Sequence, residues 1–216
     1  MIRRREFVSL GALALTGCLG GGSGADGNGG ATPFENHPAT AGIEDVPSLG
    51  EESDRRIVAF EDPSCPTCAR HSRTAFPELE EDTNNDELVY HIRNVPVVHP
   101  DWSRPACNAL FATHDRDEEV YWTLLSSYYE GQRETNADNV YERTRGYLED
   151  TPVDADAVVE DAREERFDGE VNANVSAARD ADVPGTPTFY LFDSDGFVTK
   201  ASGARGYNTF STALGL

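Results

Sequence analysis

Lysine is almost missing from this 216-residue chain: of 18 basic residues only Lys200 is a lysine, set against 39 aspartates and glutamates, for a formal charge of −21. With so few cations no basic face is expected that could neutralise phosphates, so nucleic acid drops out as a partner. The acids are spread along the whole length, which reads as a solvated surface and not as a local docking run. Long hydrophobic runs are also lacking. The apolar stretch from Phe7 to Gly17 is too short to span a bilayer comfortably. No internal repeat stands out, and there is no second C-x-x-C to complete a four-cysteine zinc site beside the one at Cys65 and Cys68.

What is present begins with MIRRREFVSLGALALTGCLGGGSG: a basic start, the short apolar run, then glycine-rich polar sequence. This reads as an export signal. Arg4, Arg5 and Phe7 resemble a twin-arginine signal, and Leu15 to Cys18 (LTGC) resemble a lipobox whose cysteine becomes the lipid-modified N-terminus. Residues 1–18 are therefore expected to be a signal peptide, and residues 19–47, poor in core material, a flexible tether with a reach of roughly 25 to 30 Å. The expected location is the outer face of the cytoplasmic membrane, lipid-anchored, where disulfides persist. The acidic composition resembles that of proteins from halophiles.

Residues 48–216 are expected to form one domain. Ile57 to Phe60 make a compact apolar run suited to a buried strand. Pro66 suits a first helical position, and the spacing predicts a helix from there to about Glu81. ELVYHIRNVPVV reads as a second strand. From about 101 to 181 apolar residues recur at helical spacing, as Tyr121, Leu124, Leu125 and Tyr128 do, giving three to five helices with Asp154 and Asp168 as N-caps. TFYLFD and FVTKA read as strands of a hairpin turned at SDG, and a short helix closes the chain.

This order, with FEDPSCPTC after the first strand and VPGTPTFYLF before the third, resembles the thioredoxin fold, an α/β architecture. The helical block between the second and third core strands, containing RPACNALFATHD and VYWTLL, resembles the DsbA family of thiol:disulfide oxidoreductases. A C-x-x-C joined to GTPT about 120 residues later is far more specific than either motif alone. The resemblance implies a cis-proline at Pro187 facing the cysteine pair, Thr186 offering backbone hydrogen bonds to a substrate chain, and no cofactor. It also implies extracytoplasmic protein thiols or disulfides as substrates, a membrane redox partner that resets the pair, and a monomer, since residues 19–47 do not read as the dimerisation domain of family isomerases.

Thiol-disulfide exchange needs one ionised thiol and a second close enough to resolve the mixed disulfide. A helix starting at Cys65 would stabilise a thiolate there, making Cys65 the nucleophile and the more buried Cys68 the resolving thiol. In the active-site dipeptide Pro66-Thr67, Thr67 stands where strong oxidants of the family carry His, which predicts a milder oxidant. Thioredoxin relatives commonly place a buried carboxylate six residues before the first cysteine; here that residue is Ala59, and Glu61 and Asp62 are expected on other faces or in the loop. Water or one of these acids would then move the proton. A dithiol oxidase is the expected activity, with a reductase or isomerase as the enzymatic alternative and a surface metal-binding or other binding module as the non-enzymatic one. For the metal reading, His71 and Cys107 are available beside the pair. Otherwise His71 is a helix-surface residue, Cys107 an inert buried hydrophobe, and the Asn174 sequon a chance match.

Overall fold

Residues 31–216 are described by a computed structural model; Arg4, Arg5, Cys18 and the rest of the expected export signal lie outside the described residues. The strand expected at Ile57 follows a two-residue edge strand, so the sheet strands are β1 (Ser48–Leu49), β2 (Arg56–Glu61), β3 (Val89–Asn94), β4 (Thr188–Asp193) and β5 (Gly196–Ser202). Their spatial order is β1-β3-β2-β4-β5, with β2 and β3 parallel and the other neighbours antiparallel. The parallel pair requires a crossover, which two helices supply: α1 (Pro66–Thr74) and α2 (Phe76–Asn84). The single helix expected to about Glu81 is thus broken at Ala75. Pro77 has no N–H for the Arg73 carbonyl, and its ring crowds the preceding turn.

Between β3 and β4 the chain makes α3 (Pro100–His114), α4 (Glu118–Gly131), α5 (Val140–Leu148), α6 (Ala155–Arg163) and α7 (Asp168–Asp180), and α8 (Tyr207–Leu214) follows β5. Asp154 caps α6 as expected, accepting from the Asp156 and Ala157 amides. Asp168 does not cap α7. It is the first helical residue, and its carboxylate is held by Arg104 at 2.6 Å. The β4–β5 turn needs glycine at Gly196: its φ is +116°, and a Cβ there would lie 2.4 Å from the Thr32 carbonyl, which accepts the Phe197 N–H.

Both sheet faces are covered. Ile57, Ala59, Tyr90, Ile92, Phe189 and Leu191 point to the larger core, shared with α1, α2, the inserted helices and α8. Val58, Phe60, Tyr190 and Phe192 point the other way, towards Ala177 of α7 and Ala39. That last residue corrects the tether. Residues 33–47 are not free linker but three 3₁₀ turns against the second face, with Ala39 fully buried and Phe34 edge-on to Phe192. The buried Arg93 guanidinium fixes this segment through the Ala39 and Ala41 carbonyls, and binds Asn174 Oδ1 at 2.8 Å. A low-core composition concealed the docking, because a few buried contacts and one clamp suffice.

Candidate active site

β2 delivers the chain into the loop that starts α1, and the residues between are tied down by one carboxylate. Asp62 is fully buried and accepts from the Ser64 amide and hydroxyl and, across the sheet end, from the amides of Val97 and Val98 at 2.8 and 2.7 Å. It is a loop-organising acid. Cys65 then stands at the N-cap with extended backbone, Pro66 is the first helical residue, and Cys68 lies one turn on. Gln132, at the end of α4, donates its side-chain amide to the Pro63 and Cys65 carbonyls at 2.7 and 3.0 Å. Nothing in its sequence neighbourhood signals that role, which depends on α4 folding back over α1.

The two thiols, present in dithiol form, have opposite surroundings. Cys65 keeps 4 % exposure beside the exposed Pro66, whereas Cys68 has none. The Cys65 thiol is lowered to about 6, first by the hydrogen bond from Cys68 and then by the backbone N–H groups of Cys68 and Thr67, with burial opposing. Cys68 is pushed well above the ordinary thiol range, first by burial, then by its bond to Cys65 and the charges of Glu61 and Cys65. The Thr186–Pro187 bond is cis, and the Cys65 sulfur lies 3.3 Å from the Thr186 carbonyl oxygen. Cys65, Cys68, Thr186 and Pro187 are thus brought together from positions about 120 residues apart in the chain.

Two expectations about polar neighbours fail. Glu61 is not turned away: strand alternation has a period of two, so Glu61 shares a face with Ala59, and its carboxylate is buried on the helix-covered side. Tyr90 donates to its Oε1 at 2.8 Å and Tyr129 to its Oε2 at 2.6 Å. Burial raises Glu61 to about 7, the two phenols hold it back, and the charge of Cys65 raises it further. A carboxylate is therefore buried near the pair, two residues later along the strand than the family pattern places it. His71 is likewise no surface residue. It is wholly buried against Phe189 and Phe210, with Nε2 3.9 Å from Glu61 Oε1, and burial lowers its pKa to about 4, so it is neutral.

His71 and Cys107 add nothing to a metal set: among the described residues no group of three or more His, Cys, Asp or Glu side chains is placed to hold an ion. Cys107 packs with Phe111 and Val171, its thiol pushed up by burial. Asn174 is buried and spends its side chain on Arg93 and the Asn94 carbonyl, which leaves no access for a glycan.

The fold is shared with known structures. The fold is similar to BdbD from Bacillus subtilis at 20% identity, TM-score 0.71, covering 87% of this chain and 98% of that one. It is similar to alpha-DsbA1 from Wolbachia pipientis (17%, TM-score 0.65, 79% and 91% covered) and to the catalytic domain of Proteus mirabilis ScsC (18%, TM-score 0.62, 82% and 91% covered). No curated protein matches the chain by sequence. A family model described as thioredoxin matches residues 41–208, which span every sheet strand and the whole helical block. By that match the chain belongs to the thioredoxin family.

Proposed function

We propose that the protein is a thiol:disulfide oxidoreductase acting on protein thiols, working chiefly as a dithiol oxidase. The observation that carries this reading is the asymmetry of the pair: a Cys65 thiol lowered to about 6 against the cis-proline loop, and a buried Cys68 thiol pushed far up. In the oxidising direction, a client thiolate attacks Sγ of Cys65 in the Cys65–Cys68 disulfide. The S–S bond breaks, its electron pair goes to Cys68, and Cys68 takes up a proton. A second client thiolate then attacks the client sulfur of the mixed disulfide and expels Cys65 as a thiolate. Two electrons leave the client, which becomes a disulfide.

Lowering the Cys65 thiol to about 6 from the 9.0 of an ordinary thiol favours the dithiol form about tenfold at pH 7, or about 30 mV for a two-electron couple. That favours oxidation of clients, and mildly so, in keeping with Thr67 between the cysteines. Glu61, titrating near 7 with its charge acting on both thiols, is suited to exchange the Cys68 proton. Thr186 and Pro187 hold the client backbone beside Cys65. We further propose that Arg4 and Arg5 direct export, that Cys18 carries a lipid anchor at the outer membrane face, and that a membrane redox protein reoxidises the pair. The test is stoichiometric. Oxidised protein mixed with a reduced dithiol peptide should remove two peptide thiols per protein and yield the peptide disulfide, and Cys65→Ser should abolish this. Loss of peptide thiols at the wild-type rate in Cys65→Ser would refute the assignment.

A further inference from the structure

The few cations of this chain are almost all occupied. Most of the described arginines, and Lys200, hold a carboxylate, a backbone carbonyl or an aromatic ring. Arg70, Arg73, Arg133 and Arg179 have no such side-chain partner among the described residues, and all four are exposed. Their positions are not scattered. Arg70 and Arg73 project from α1 and Arg133 follows α4, and the three line one cleft of about 960 Å³ together with Ser64 and Pro66, the neighbours of Cys65. Arg179, on α7, lines a separate, smaller cavity of about 250 Å³, where Thr186 forms part of the wall. Three of these arginines therefore share a cleft with the chain neighbours of Cys65, and the fourth shares a cavity with Thr186, whose carbonyl oxygen lies 3.3 Å from the Cys65 sulfur.

In a molecule of charge −21, three arginines in one cleft without a side-chain partner among the described residues are a local concentration of cations available to an acidic ligand. The acids on the larger cleft are Asp101, Glu130 and Glu134, and Glu134 is taken by Arg143 at 3.1 Å. Guanidinium groups pair with carboxylates in a bidentate geometry that also fixes direction. We propose that Arg70, Arg73 and Arg133 receive the Asp and Glu side chains flanking the reacting cysteine of a client, so that the protein selects acidic polypeptide segments. The selection rests on the exchange reading above. The whole-molecule field repels an acidic chain, and in this cleft Arg70, Arg73 and Arg133 act against that repulsion beside Asp101 and Glu130.

The test compares three reduced dithiol peptides of one length whose flanking residues are Asp and Glu, Gln and Asn, or Lys, each oxidised by the disulfide form of the full protein. The acidic peptide should react about three- to tenfold faster than the neutral one, as two or three exposed ion pairs allow. In Arg70→Gln/Arg73→Gln/Arg133→Gln that ratio should fall to one or below, since the remaining field repels the acidic peptide, while the matching Lys variant should keep most of it. A wild-type ratio near one, a ratio unchanged in the Gln variant, or a preference for the Lys peptide would overturn the inference while leaving exchange intact. Failure of the wild type to oxidise any of the three peptides would instead remove the exchange reading, and the inference with it.

Discussion

Glu61 is the residue on which the chemistry and the stability of the site meet. Its pKa is raised to about 7 from an ordinary 4.5, chiefly by burial. A group raised in this way contributes its full stability below about 4.5, and that contribution is lost as pH rises through 7. Glu61→Gln should therefore gain stability relative to the wild type between pH 4.5 and 8, by up to about 3 kcal/mol, read from urea unfolding at several pH values. If the difference between the two proteins is flat with pH, Glu61 is not the buried acid described. In single turnover the same variant should slow the attack of Cys68 on a mixed disulfide and lose the inflection near pH 7. Cys65, Cys68, Thr186 and Pro187 were legible because each sits in a short motif. Glu61 was legible in principle from the period of two that it shares with Ala59, but not His71, whose burial depends on Phe189 and Phe210 arriving from the far end of the chain.

At the scale of elements, the site depends on how the end of β2 is joined to the loop after β3. Asp62 makes that joint, receiving the amides of Ser64, Val97 and Val98 and the Ser64 hydroxyl in a buried setting. Asp62→Ala strands these donors and should cost about 3 kcal/mol or more in denaturant unfolding, with slower exchange at Cys65, since both flanking loops lose their register. A loss under about 1 kcal/mol would contradict the role. The strand, crossover and hairpin order followed from apolar runs and turn residues. The break of the first helix at Ala75 did not, although Pro77 stood in the sequence, because a helix tolerates proline in its first turn and only the structure shows that a second helix starts there.

For the molecule as a whole, composition misjudged the segment before β1 because it averages over positions that folding separates. Residues 33–47 look like linker, yet Ala39 is buried and the Ala39 and Ala41 carbonyls receive the Arg93 guanidinium. A chain beginning at residue 48 should melt roughly 10 °C below one beginning at residue 31, the effect expected from stranding a buried cation. Equal melting temperatures would show the segment to be dispensable. Composition is equally silent on where the few cations sit: Arg70 and Arg73 of α1 and Arg133 after α4 share one cleft with Asp101, Glu130 and Glu134. The central claim is that Cys65 is the sulfur that forms the mixed disulfide with the client and Cys68 the partner expelled when the client attacks, and trapping tests it most directly. Reduced and denatured protein substrates are mixed with Cys68→Ser and with Cys65→Ser, each activated as a mixed disulfide with a small thiol, and the products are separated without reductant. The account predicts abundant client disulfides with Cys68→Ser and almost none with Cys65→Ser. Equal trapping by both variants, or trapping by Cys65→Ser alone, would contradict it.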